Sequence, residues 1–166
     1  MIELYEIIGL IILCIIAIGY WIYTRDTHIV RIKRNDIIDL KSIMDLCNLP
    51  IVSFYQGDNV FHFLFDTGSN VSYVNKYSNL KVTPTGVKDT FMGSTGEDQN
   101  CEKVDIVLYR NNLKYKHTMN SADLNVAFTE LKNEYGVLIS GILGNDFLKK
   151  YKYCLDFKEL VAYTRK

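Results

Sequence analysis

The sequence predicts a mainly β domain, closed into a barrel with one short helix near its C-terminus, behind an apolar N-terminal helix. Two patterns predict the barrel. From Pro50 onward, short runs rich in Val, Ile, Phe and Tyr alternate with turns built on Gly and Asn. Helical spacing in the same region is confined to brief stretches, and many short strands with few helices suit a closed sheet. The third observation predicts the helix in front: Ile7–Tyr23 is seventeen residues without a charge.

As a helix that stretch spans roughly 26 Å, near the lower limit for crossing a bilayer. Tyr20, Trp21 and Tyr23 close it with the aromatic side chains that favour a membrane interface, and Arg25, Arg31, Lys33 and Arg34 follow. A cleaved signal peptide needs a basic start and a small-residue cleavage site. Here Glu3 and Glu6 lead, and no A-x-A pattern follows. A lipoprotein signal at Cys14 would want a small residue where Leu13 stands. The expectation is an uncleaved single-pass anchor in the lipid bilayer over residues 1–24. Its basic C-terminal flank puts the following domain on the cytoplasmic side by the positive-inside rule.

Residues 25–49 are then expected to form a basic juxtamembrane segment and a short amphipathic helix. That helix, Asp36–Asn48, has apolar residues at 37, 40, 43, 44 and 47 on one face, and Pro50 ends it. The barrel domain is expected over residues 50–166. Ile51–Tyr55 and Val60–Phe65 read as strands around the turn Gln56-Gly57-Asp58-Asn59. Val71–Val74, Lys81–Val82, Val104–Tyr109 and Leu113–Thr118 follow, the last two joined by the hairpin signal Asn111-Asn112. Phe128–Tyr135 predicts a helical turn, Val137–Ser140 a buried strand and Asn145–Tyr151 the C-terminal helix. Tyr153–Phe157 and Leu160–Tyr163, turning at Lys158-Glu159, make a terminal hairpin.

Composition narrows the function classes. Nineteen basic residues balance nineteen acidic ones, which argues against a nucleic-acid-binding face. Cys14, Cys47, Cys101 and Cys154 form no CxxC pair, and His28, His62 and His117 make no ligand cluster. No metal and no cofactor is expected, and free thiols suit a cytoplasmic domain.

One stretch carries chemistry. Phe61-His62-Phe63-Leu64-Phe65 delivers a single aspartate, Asp66, to the tight turn Thr67-Gly68-Ser69. A carboxylate at the end of a buried strand is costly unless it is hydrogen-bonded, paired or put to use. Gly68 lets another chain or a substrate come close, and Thr67 and Ser69 carry hydroxyls beside the carboxylate. A plain Asp-x-Gly turn ending a strand is the alternative. Further on, Val137–Ser140 leads through Gly141, Ile142 and Leu143 to Gly144 and a helix opening on Asn145. Between the two lies a polar hairpin, Thr90–Asn100.

With these residues in view, the chain from about Pro50 to its end resembles the retropepsin-like aspartic proteases. Phe65-Asp66-Thr67-Gly68-Ser69 matches the catalytic motif, and Ile142-Leu143-Gly144-Asn145-Asp146-Phe147-Leu148 matches the apolar-apolar-Gly motif with its helix. The resemblance implies a retropepsin-like closed β-barrel, an aspartic endopeptidase acting on peptide or protein substrates, and Asp66 as catalytic residue. The chain holds one Asp-Thr-Gly and is too short for a two-lobed enzyme, so the resemblance implies a homodimer meeting at the Asp66 loops. Thr67 would brace the two loops, Gly68 would permit their approach, and the Ser69 hydroxyl would bond a carboxylate oxygen. Asp146 is expected to serve as a first-turn helix residue. By position the flap would lie in Thr90–Asn100, with Met92, Gly93, Ser94 and Gly96 near its tip, although Glu97 and Asp98 make the segment unusually acidic. Two other readings stand beside this one. One is a non-catalytic module of the same fold, tethered for dimerisation or peptide binding; the other is a membrane-tethered β-domain whose two motifs are coincidental turns.

Overall fold

The computed structural model describes residues 13–18, 20, 34–92 and 98–165. The chain divides into two compact units, Met1–Lys33 and Arg34–Lys166. In the first, residues 13–18 and 20 are helical, and Leu13, Ile15, Ile16, Ile18 and Tyr20 are exposed. Most of the expected Ile7–Tyr23 span lies outside the described residues. Among those described, no helix is long and apolar enough to cross a membrane.

The second unit is mainly β. The strands β2 (Ile51–Gln56), β3 (Asn59–Phe65), β4 (Tyr73–Asn75), β5 (Val82–Met92), β6 (Asp98–Arg110), β7 (Leu113–Ala122) and β8 (Ile139–Leu143) form one sheet. They run in the order β2-β3-β8-β4-β7-β6-β5, and a bridge from Tyr55 to Tyr109 joins β2 to β6. The first six strands thus close into a barrel, and β5 stays outside as an edge. Closure leaves few unpaired backbone groups, which suits so short a chain. The pleat does the sorting: Phe61, Phe63 and Phe65 alternate inward along β3, at 8%, 0% and 2% exposure.

A smaller sheet, β1-β10-β9, is made by β1 (Arg34–Asp39), β9 (Tyr153–Asp156) and β10 (Val161–Arg165). The domain therefore begins ahead of Pro50. The helix expected over Asp36–Asn48 is a strand in its first part and a helix, α1 (Lys41–Cys47), in its second. Pairing of β1 with β10 overrides the helical pattern there, and Ile38 is buried while Ile37 is exposed. Asp36 makes the bend, with a left-handed φ of 43° where the register shifts. Its carboxylate is fully buried and accepts from Tyr115 at 2.5 Å, from Asn111 at 2.7 Å and from Tyr153. Burial and then the Asp36 carboxylate push both phenols well above the ordinary tyrosine range.

Three helices are present among the described residues of this unit. The stretch expected as a helical turn is a full helix, α2 (Asn125–Tyr135), whose Phe128 is buried with Cys47, Ile51, Leu124 and Ile139. The third helix, α3 (Asn145–Lys150), is the one expected near the C-terminus. It sends Phe147 into the core, fully buried between Phe54, Phe65, Tyr115 and Tyr153, ring centroids 5.8–6.4 Å away. Removing that ring would cost about 3–5 kcal/mol.

Candidate active site

The site is an arch. Strand β8 lies between β3 and β4, parallel to the first and antiparallel to the second. The chain leaving β3 must therefore pass over the end of β8 to reach β4, and residues 66–72 make that crossing. Directly beneath them β8 ends and α3 begins, at Gly144. A Cβ there would stand 2.6 Å from the Val71 carbonyl oxygen and 2.8 Å from that of Ser69, closer than real contacts allow. One residue type fits. Gly141, three positions earlier, is squeezed in the same way between the Tyr73 carbonyl and the Phe63 ring.

Hydrogen bonds then sew the arch to its support. Asp66 N–H donates to the Leu143 carbonyl at 3.1 Å, continuing the β3–β8 ladder by one step. Asn145 N–H donates to the Ser69 carbonyl at 2.8 Å, its Nδ2 to the Thr67 carbonyl at 2.8 Å, and Asp146 N–H to the Asn70 carbonyl at 3.3 Å. Ser72, fully buried at the far foot, accepts from Gly144 N–H at 3.0 Å on its Oγ. The same hydroxyl donates to Asp146 Oδ1 at 2.6 Å, and Ser72 N–H donates to Asp146 Oδ2 at 3.1 Å. His117 of β7 reaches the same Oδ2 from the other side at 3.0 Å. Burial by itself would raise the Asp146 carboxyl, but the bonds from His117 and Ser72 outweigh it and hold it down to about 2. Asp146 is an ionised anchor for the arch.

At the crown, Asp66 is half-buried and its Oδ1 accepts from Gly68 N–H at 2.8 Å. A Cβ on Gly68 would stand 3.1 Å from that oxygen, so glycine leaves the amide room to turn inward. Thr67 and Gly68 are exposed beside it. A carboxylate held this way can accept a proton from water. It cannot at the same time supply one, and adding water to an amide needs both.

The expected residues fall as follows. Asp66, Thr67, Gly68 and Ser69 form the arch, with Leu143 and Gly144 beneath it and Ile142 half-buried against the packing around α2. Ser69 differs from expectation: its Oγ donates to the Val71 carbonyl at 2.7 Å, two residues on, and not to Asp66. That local turn satisfies the hydroxyl without the carboxylate. Thr90–Asn100 is a hairpin as expected, with Thr90 opposite Asn100 and Met92 opposite Asp98, but its tip, Gly93, Ser94 and Gly96 included, lies outside the described residues. Two site residues were not anticipated, Ser72 and His117. A serine inside the apolar run Val71–Val74 was a usable signal for the first; His117 had none. Among the described residues no three His, Cys, Asp or Glu side chains gather as a metal site, and the four cysteines are free. No protein-family model matches the chain, and no curated protein matches it in sequence.

Proposed function

We propose that the protein is a membrane-anchored, homodimeric aspartic endopeptidase of retropepsin-like fold, in which two Asp66 carboxylates share one proton. Two like charges at close range cannot both ionise, the known device of aspartic proteases. The ionised member takes a proton from water, which attacks the peptide carbonyl, and the protonated member donates to the oxygen as charge develops there. The observation that carries this reading is the arch itself: a half-buried carboxylate at its crown, bound to its own Gly68 amide, over a Leu143-Gly144 crossing. Each chain brings one such loop, so a two-fold axis at the crown would supply the pair. Ile7–Tyr23 would hold both copies in one plane, raising their effective concentration. The exposed apolar side chains at residues 13–18 and 20 suit contact with lipid. The basic residues after the span favour a cytoplasmic domain.

The test uses the full chain in detergent, with Asp66→Asn as control, and a diverse peptide mixture from acidic to neutral pH. New termini are read by mass spectrometry. Cleavage by the parent, lowered about a thousand-fold or more in the variant, is the expected result. Silence from both, with a dimer shown by sedimentation, would replace this reading with the non-catalytic dimerisation or peptide-binding module. An active, strictly monomeric enzyme would remove the carboxylate pair.

A further inference from the structure

We propose that His117 is a positioning residue for the Asp66 loop, acting through Asp146 on Ser72. The inference rests on the reading of Asp66 as the catalytic carboxylate, and it concerns a strand remote in sequence from both motifs. Strand β7 grips Ser72 twice. Its main chain does so directly, Asn120 N–H donating to the Ser72 carbonyl at 3.0 Å. Its side chain does so at one remove, through His117 Nε2 on the Asp146 oxygen that also receives Ser72 N–H. The second Asp146 oxygen is occupied by the Ser72 hydroxyl and by Phe147 N–H at 2.7 Å. Each carboxylate oxygen thus takes two donors, and His117 supplies the one that comes from outside the arch and α3.

The imidazole's chemistry is fixed by this. Both Asp146 oxygens accept, so Nε2 carries the proton. Nδ1 is buried and has no partner among the described residues. The ring stands edge-on to Phe147, centroids 5.3 Å apart at 87°, with Tyr151 at 6.5 Å. An aliphatic side chain would fill such a place without burying an unpaired nitrogen. The single bond to Asp146 accounts for a histidine there. Among the described residues no other charge competes for it. From β6 the residue opposite is the apolar Ile106, and from α3 the Lys150 ammonium and the Tyr151 hydroxyl are both engaged by the Lys116 carbonyl. From the arch the facing polar group is Ser72, which Asp146 holds, and on β7 itself the Tyr115 hydroxyl is bonded to Asp36.

Two substitutions separate positioning from bulk packing in the full chain. His117→Leu fills the space and removes the donor; His117→Gln keeps an N–H near the place of Nε2. Hydrogen exchange by mass spectrometry should show amides of residues 67–72 exchanging about tenfold faster or more in the leucine variant, with β3 and β8 unchanged. Peptide hydrolysis should lose about 10–100-fold in kcat with KM within about twofold, because misplacing a reacting group costs rate before binding. The glutamine variant should recover most of both. In the unsubstituted protein, nitrogen-15 NMR should find His117 protonated at Nε2. A proton on Nδ1 instead, exchange that rises evenly over the barrel, or a glutamine variant as impaired as leucine would each overturn the proposal. If the parent hydrolyses nothing, the endopeptidase reading fails, and the exchange and NMR results still decide the role of His117.

Discussion

The arch over β8 and the hairpin of β5 and β6 both depend on glycine and on main-chain pairing, yet they are built on opposite principles. The arch is made by close approach. The glycines beneath it, Gly141 and Gly144, are pressed against carbonyl oxygens, and at its far foot Ser72 is buried and bonded to Asp146 and Gly144, far away in sequence. The hairpin is made by repetition. Its register steps from Val82–Ile106 to Met92–Asp98 with one irregularity between Pro84 and Lys88, and residues 83–88 are exposed. Its Asp89–Lys103 ion pair is also solvent-exposed, where such pairs contribute little. A single added methyl should therefore be severe in one region and slight in the other.

Gly144→Ala should have the largest effect. Its Cβ meets backbone oxygens on two sides, and backbone cannot rotate away as a side chain could. The cost should be about 3 kcal/mol in urea unfolding, with loss of any peptidase activity, since the arch must lift or β8 must drop. Gly144→Asn should be at least as damaging, because the obstacle is space and not backbone angle.

Asp146→Asn comes next, at about 2 kcal/mol. The amide puts an NH2 in place of one carboxylate oxygen, and since each oxygen accepts from two donors, donors face donors there whichever way the amide turns. The pH dependence has a definite sign. Bonds from His117 and Ser72 overcome burial and depress this carboxyl in the folded state from 3.8 to about 2. Its stabilising contribution is complete above pH about 4 and is lost as pH falls toward 2. Unfolding free energy measured from pH 5 to pH 2 should fall less steeply in the asparagine variant than in the parent. Equal slopes would mean that Asp146 is not the anchor.

The two regions also differed in how far they could be read from sequence. Half the arch was legible, because Asp66-Thr67-Gly68 and Leu143-Gly144 are local patterns whose glycines announce a crowded backbone. Its other half was not. Ser72 and His117 matter because they converge on Asp146 from segments 74 and 29 residues away, and no short-range periodicity encodes that meeting. The hairpin was legible at its two ends and hidden between them, for the reverse reason. Lys81–Val82 and the Thr90–Asn100 hairpin read out the ends of β5, but not its middle, since Pro84 and Gly86 are strand breakers by propensity. An edge strand tolerates both: proline has no amide to waste on the solvent side, and the glycine sits at the register shift. β1 was hidden similarly, behind a helical apolar pattern that pairing with β10, the last strand of the chain, overrode.

Gly86→Ala tests the hairpin side of the comparison and should be the mildest change. Gly86 has a φ of +76°, so alanine carries a conformational penalty, but nothing lies within 4 Å of the added Cβ. The cost is then angular alone, about 1 kcal/mol, and should appear as a small shift in the urea midpoint. Asparagine tolerates the left-handed region better than alanine, so Gly86→Asn should recover part of the loss. That ordering is opposite to the one expected at Gly144, where the larger residue is no better than alanine. A Gly86→Ala loss as large as that of Gly144→Ala would mean that β5 is packed against something besides β6.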